Sequence, residues 1–501
     1  MYFFLSAGIG NTLTGIEHAI LKRKTIFDAC GLAHKIITTN FNANYIKNLT
    51  THRIGQNSFL NLYDDYQNII FKQNQENKID HFLSRIVGHI QKKNVAGTRD
   101  IRVYVDDLHM FYISRYEDGQ IAYINYFDQH KNKYKREIYS SNGYLSQTIF
   151  LENNQKRWVS YHNDSAQVVI EEHFDQQQNP VLFVVKRNNQ SHFFHSKDQW
   201  LSFWFERLIK NNPNSVFYSD KNRIYNPILI PLKNETFKLV SVFHSMHFRN
   251  AKDIMSTLNS NYRACLNQAE AFDGFIVSTE HQKQDLVARY GEQMNIWVIP
   301  PTYAAPLAHQ QPQDSAQTFK VISVGRYYIE KRLDHIIQAV ALLAEKYPFI
   351  QLDLFGFGDS RDNFAYEKKI RKMVVDQHLE QIVKFRGYVH NIAEQIRQAD
   401  VSVVTSTVEG FCIGVLDSLA VGTPVVAYDI KYGPRAMIKH GTSGFLVEEA
   451  NIQQLAAALE QIYLHAPSSD AVQMSTQPFS FAVQKKKWLD HLFDLSEKSS
   501  N

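Results

Sequence analysis

The stretch Phe319-Lys320-Val321-Ile322-Ser323-Val324-Gly325-Arg326 is followed by a helical pattern from Leu333 to Leu343 and by a second apolar run, Leu352-Asp353-Leu354-Phe355-Gly356. Short apolar runs alternating with longer amphipathic segments are the βαβ signature of a parallel, doubly wound sheet. The rhythm continues through Val383 to Arg386, Val401 to Thr405 and Pro424 to Tyr428, so a Rossmann-like domain is expected from Phe319 to about His465. Upstream, the low-hydrophobicity segment Ala308-His309-Gln310-Gln311-Pro312-Gln313-Asp314 reads as a linker.

The N-terminus opens in the same way, with a strand at Tyr2 to Ala7, a Gly-rich turn from Gly8 to Gly15, a helix, and a strand at Lys35 to Thr39. Between about Asp100 and His195 the period changes to two, as in Ile101-Arg102-Val103-Tyr104-Val105, with Glu117-Asp118-Gly119 as a hairpin signal. That aromatic stretch predicts an antiparallel sheet inserted into the first domain. The βα rhythm then resumes with a strand at Phe237 to Phe243, a helix over Asp253 to Gln268, a strand at Gly274 to Val277, and a helix from Gln282 to Tyr290 capped by Ser278 or Thr279. The expected domains are 1–75 with 215–315, an insertion at 76–214, a second Rossmann-like domain at 316–477, and a final helical segment at 478–501.

The 501 residues are 44% hydrophobic and 21% charged, which excludes a disordered chain, and the net charge of +4 gives no ground for nucleic-acid binding. Cys30, Cys265 and Cys412 are far apart and in no metal-type spacing, which fits a reducing cytoplasm. The start lacks a basic signal-peptide region, and no run reaches the roughly 20 apolar residues of a membrane span, so at most peripheral membrane association is expected.

In open α/β sheets, ligands bind at the carboxyl ends of the strands. After the strand ending at Val324, Gly325 allows a turn and Arg326 and Lys331 place two cations, a pairing suited to a diphosphate beside helix amides. Taken alone, this is equally an ordinary basic surface turn. In Glu409-Gly410-Phe411-Cys412-Ile413-Gly414-Val415-Leu416-Asp417, a helix expected to begin near Phe411 directs free N–H groups at the crevice. Glu409 can accept hydrogen bonds from a sugar, and Asp417, about two turns on, from a ribose. Taken separately, Glu409 is more readily a helix-start glutamate stabilised by the macrodipole, and Asp417 a solvated aspartate. The turn Gly356-Phe357-Gly358-Asp359 adds little by composition.

Together, Gly325-Arg326, Glu330-Lys331, Gly356-x-Gly358, Glu409-Gly410-Phe411 with Asp417 and Gly422-Thr423-Pro424-Val425-Val426 resemble the retaining GT-B glycosyltransferases of family 4 over most of residues 319–495. The resemblance implies two Rossmann-like domains facing across a cleft, with a last helix, Phe479 to Leu492, crossing back to the first. It implies that Arg326 and Lys331 bind the donor diphosphate, Glu409 the donor sugar and Asp417 the ribose, with Gly325, Gly410, Phe411 and Cys412 at the donor. Asp417 stands where the family usually has Glu, and Cys412 where it usually has Gly.

Gly8-Ile9-Gly10 with Thr14-Gly15-Ile16-Glu17, Asn61 to Tyr66, the β insertion and Val242-Phe243-His244-Ser245-Met246-His247 resemble the subgroup that glycosylates serine-rich-repeat adhesins beside the accessory Sec system. Teichoic-acid glycosyltransferases share that insertion. This implies donor-phosphate contacts from the amides of Thr14, Gly15 and Ile16, and a catalytic position for His244. The implied activity is transfer of glucose or N-acetylglucosamine, with retention, from a UDP-sugar to Ser/Thr hydroxyls of a serine-rich protein before export. Transfer to a polyol-phosphate wall polymer and a non-catalytic GT-B partner are the alternatives. The implied partners are the UDP-sugar, the protein acceptor, and either a second copy or a related GT-B subunit.

No metal is expected, because no two aspartates are separated by a single residue. His192-x-x-His195 and His244-x-x-His247 fall in strand-like contexts without metal-ligand companions. A Gly-x-Ser-x-Gly nucleophile elbow is absent.

Overall fold

The computed structural model describes residues 1–306 and 318–497, so the linker Ala308 to Asp314 lies outside the described residues. The chain divides into two compact units, one of residues 1–17 and 31–239, the other of residues 18–30 and 240 onward.

In the first unit, the strands Ser215–Ser219, Tyr2–Leu5, His34–Thr38 and Phe59–Asn61 lie side by side in that order, all parallel. Phe3, Phe4, Leu5, Ile36 and Ile37 are almost fully buried. Near-continuous apolar strands are what a parallel sheet covered on both faces requires. The period-two segment forms a ten-stranded antiparallel meander from Ile90–Asn94 to Gln190–Phe194, each strand beside its sequence neighbour. Its alternating Ile101, Val103, Ile113, Ile121 and Ile124 bury one face against Leu83 and Phe82. Polar side chains tie the meander to the parallel strands. Asp65 accepts from Arg187 and Trp204, both at 2.9 Å, and from Arg207, while the Tyr63 hydroxyl donates to Glu172 at 2.7 Å. The helix Lys197–Asn211 starts at Ser196, whose hydroxyl accepts from the Gln199 amide.

In the second unit, Val240 to Val242, Gly274–Val277 and Ile296–Val298 form a parallel ladder. A separate six-stranded parallel sheet has the order Val383–Gly387, Ile350–Phe355, Phe319–Val324, Val401–Val404, Val425–Tyr428, Gly444–Val447. Numbered along the chain, that order is 3-2-1-4-5-6, the dinucleotide-fold order, which reverses between Phe319–Val324 and Val401–Val404. The helix Leu333–Ala344 buries Leu333, Ile336, Ile337, Ala339, Val340 and Leu343 on this sheet.

Three local expectations are corrected. Residues 253–262 are turns and irregular chain, with Leu258 in an isolated β-bridge to Phe248, and within 253–268 only Arg263–Asn267 is α-helical. The Asn250, Asp253 and Asn259 side chains accept from the amides two residues ahead (Lys252, Met255, Asn261), and these Asx turns displace the helix. The helix expected near Phe411 starts at Ile413, because Cys412 adopts a left-handed backbone with φ of 67°. The last helix is Phe481–Glu497, preceded by a 3-10 turn at Gln477–Phe479. Its Trp488 packs edge-on to Phe27, with the Arg23 guanidinium 5.0 Å from the indole. Thr279 caps the helix Glu280–Tyr290, its hydroxyl accepting from the Gln282 amide at 3.2 Å.

Candidate active site at the strand-order reversal

Two turns meet where the strand order reverses. The Thr405 hydroxyl donates to the carbonyls of Lys331 (2.8 Å) and Arg332 (3.0 Å), and the Thr407 amide to that of Glu330 (2.9 Å). These bonds hold the turn Gly325 to Arg332 against the chain leading to Glu409. Lys331 Nζ lies 2.5 Å from Glu409 Oε1. Burial alone would weaken the Lys331 ammonium, but the Glu409 carboxylate outweighs it, and the lysine pKa is raised.

The loop Gly356 to Asp359, discounted in the sequence, is the second support of this site. Arg326 pairs with Asp359, and its other terminal nitrogen lies 3.3 Å from Glu330. Arg361 also grips Asp359, through Nε at 3.0 Å and Nη2 at 2.7 Å. Arg361 above all, with Arg326, holds the Asp359 carboxyl well below the ordinary range. Gly356 has φ of +145°, and a Cβ there would stand 2.8 Å from the Gly325 carbonyl carbon and closer still to its oxygen. A side chain at Gly356 is therefore incompatible with the path of the Arg326 turn.

Gly410 makes a second close approach. A Cβ on it would lie 2.6 Å from the His244 carbonyl carbon and 2.9 Å from the Ser245 nitrogen. The Glu409–Gly410 turn thus rests directly on the backbone of His244, whose own amide donates to the Tyr262 hydroxyl at 2.9 Å. His244 also lines a narrow cleft with Lys22, Ser278, Thr302 and Trp488.

Asp417 follows on the helix Ile413–Ala420. Burial pushes its carboxyl up to about 6, and the Lys22 ammonium draws it down. Lys22 lies 4.4 Å over the Tyr303 ring. A carboxyl whose folded pKa exceeds its unfolded value contributes stability below the unfolded pKa, near 3.9, and loses it as pH rises through about 6. Asp417→Asn should therefore stabilise the protein more at pH 7.5 than at pH 4, by about 1–3 kcal/mol. Thermal midpoints of both proteins at the two pH values check this, and an equal effect at both contradicts it.

Cys412, in the N-cap position, has its thiol pushed far up by burial, so it is not a thiolate. A non-glycine residue in its left-handed conformation costs about 1–2 kcal/mol.

Thr14, Gly15 and Ile16 stand at the start of the helix Gly15–Ala29, in or just before its first turn. The Thr14 amide donates to Glu17 at 3.0 Å, its hydroxyl bonds the same carboxylate, and Glu17 also pairs with Lys221 at 2.9 Å. This capping box engages the Thr14 amide within its own turn. The sequence reading gave the turn ending at Asp359 little weight and did not single out Arg361 or Lys22, which carry no motif and are placed only by the fold.

Residues 306–476 match the family of glycosyl transferases group 1. The chain carries a group 1 glycosyltransferase domain on a GT-B fold. It is 25% identical over 506 residues to the poly(glycerol-phosphate) alpha-glucosyltransferase of Bacillus subtilis (strain 168), covering 96% of this chain and 72% of that protein. It is 21% identical to the UDP-N-acetylglucosamine–peptide N-acetylglucosaminyltransferase GtfA subunit of Streptococcus parasanguinis, covering 98% of each. The crystal structure of the GtfA/B complex contains a chain of the same fold, with a TM-score of 0.81, 18% identity and 99% of each chain covered. In this chain the fold includes the antiparallel insertion expected from the period-two segment. Among the described residues, no helix is long and apolar enough to cross a membrane.

Proposed function

We propose that the protein is a cytoplasmic, retaining glycosyltransferase that moves glucose or N-acetylglucosamine from a UDP-sugar to Ser/Thr hydroxyls of a serine-rich protein. The observation that carries this reading is the Lys331–Glu409 ion pair, with Arg326 held beside it, at the strand-order reversal of a group 1 domain. Lys331 and Arg326 bind the donor diphosphate, Glu409 the transferred sugar and Asp417 the ribose. Gly325, Gly410, Phe411 and Cys412 shape the donor pocket by backbone approach. His244 stands beside the transferred sugar, its carbonyl side against Gly410.

Charge developing on the departing UDP is stabilised by the two cations and by the amides at the start of the helix Ile413–Ala420. The incoming hydroxyl arrives on the face that the phosphate leaves, and a phosphate oxygen takes its proton, which retains configuration. The likeness to a GtfA subunit and to a chain of the GtfA/B complex supports assembly with a second, related GT-B chain.

Identity to the Bacillus enzyme favours a second reading, transfer to a polyol-phosphate polymer. Release of UDP from UDP-glucose and UDP-N-acetylglucosamine, measured with no acceptor, with a serine-rich peptide and with poly(glycerol phosphate), separates the two. Stimulation by the peptide alone supports the first, stimulation by the polymer alone the second, and no UDP release under any condition contradicts both.

Because Arg326 and Lys331 supply the positive charge, turnover should survive EDTA within about twofold, and Mn²⁺ should not rescue Arg326→Ala. Loss of turnover in EDTA that Mg²⁺ or Mn²⁺ restores would falsify the metal-free mechanism.

A further inference from the structure

The turn that carries Glu409 is held from behind by groups outside the donor site. The Tyr432 amide donates to the Glu409 carbonyl oxygen at 3.1 Å. Tyr432 is fully buried, packs with Met246 and Phe248, and lies nearly parallel to the His247 ring, 6.4 Å away and inclined by 6°. Its hydroxyl donates to Asp285 Oδ2 at 2.7 Å, and Lys431 Nζ meets the same oxygen at 2.8 Å. Asp285 belongs to the helix Glu280–Tyr290, anchored at its start by the Thr279 cap.

One carboxylate oxygen thus takes two bonds, one from an ammonium and one from a buried hydroxyl. Bonds to an ionised acceptor are about twice as strong as neutral ones. Lys431 and Tyr432 are consecutive, so both bonds act on one short piece of backbone, whose next polar contact is Glu409 itself. Burial drives His247 down to about 4, so the ring beside Tyr432 is neutral near pH 7. The path from Asp285 to Glu409 runs through the buried Tyr432 side chain and that residue's own backbone amide.

We propose that Asp285 is a positioning residue for glycosyl transfer, setting the place of Glu409 through Lys431 and Tyr432. The inference rests on the reading of Glu409 as the group that holds the transferred sugar. Asp285 has no direct part in holding UDP, which falls to Arg326, Lys331 and Asp417.

The test compares the wild type with Asp285→Ala, Asp285→Asn and Tyr432→Phe in three measurements: kcat for UDP-sugar turnover, calorimetric affinity for UDP, and thermal midpoint. Asp285→Ala should lower kcat by about 10–100-fold while the Kd for UDP stays within about threefold, since small misplacements at a reacting centre cost rate far more than ground-state binding. Asp285→Asn, which keeps an acceptor for Tyr432, should recover part of the loss. Tyr432→Phe, which keeps the ring and the Lys431 pair, should lose at least about threefold in kcat at unchanged UDP affinity. A kcat for Asp285→Ala within about twofold of wild type overturns the proposal, as does a parallel fall in kcat, UDP affinity and midpoint. If Asp285→Ala does not fold, Tyr432→Phe decides alone, and wild-type kcat in that variant overturns the proposal. Failure of the wild type itself to bind UDP overturns the donor-site reading instead.

Discussion

Replacing Arg326 by alanine should lower UDP-sugar turnover by about 30-fold to several thousand-fold, the equivalent of about 2–5 kcal/mol for a charge contact made in a water-poor site. Lys331→Ala should lose a comparable amount. The two variants differ in what they leave behind. Without Arg326, Asp359 keeps four contacts from Arg361, three from its guanidinium and one from its amide at 3.0 Å, so the carboxylate stays satisfied. Arg326→Ala should therefore unfold close to the wild-type temperature. Without Lys331, the Glu409 carboxylate, 14% exposed, loses its ammonium partner, so this variant should also lose stability. Calorimetric UDP binding, turnover and thermal midpoint together read out the difference. Donor affinity and turnover unchanged in both variants would remove the two cations from the donor site.

Gly410→Ala should abolish most activity, by about 100-fold or more, while Gly414→Ala should not. At Gly410 the added methyl meets the His244 carbonyl and the Ser245 nitrogen, both backbone atoms that no rotamer change can move aside. The turn must shift, and Glu409 shifts with it. A Cβ on Gly414, on the helix Ile413–Ala420, meets nothing within 4 Å. Alanine in a helix is favoured over glycine by up to about 1 kcal/mol, so Gly414→Ala should raise the thermal midpoint. Equal activity in the two variants would show that the close approach at Gly410 does not govern the site. Circular dichroism of Gly410→Ala should remain native, because the six-stranded sheet is built independently of that contact.

Much of this site was legible in the chain. The runs at Phe319 to Val324 and Leu352 to Phe355 are mostly apolar and mostly buried, which makes them readable without context. The turns at Gly325, Gly356 and Glu409 follow strands, and the topology of a doubly wound sheet sends such turns to one edge. The helix over Asp253 to Gln268 was misread because its period is helical while its Asn and Asp side chains bond their own backbone. Local hydrogen bonding outweighed the pattern there. The capping box Thr14-x-x-Glu17 was likewise present in the sequence, and in the fold it engages the Thr14 amide.

The sequence by itself determined the fold class and the antiparallel insertion, because each of these follows from periodicity. Only the tertiary structure decided which charges meet: Lys331 with Glu409 across 78 positions, Arg326 with Asp359 across 33, and Asp285 with Tyr432 across 147. A pairing between distant segments depends on how strands are ordered and how closely backbones approach. Neither leaves a mark on composition or spacing, so the partners of the reactive groups emerge only once Gly356 and Gly410 have let the loops come together.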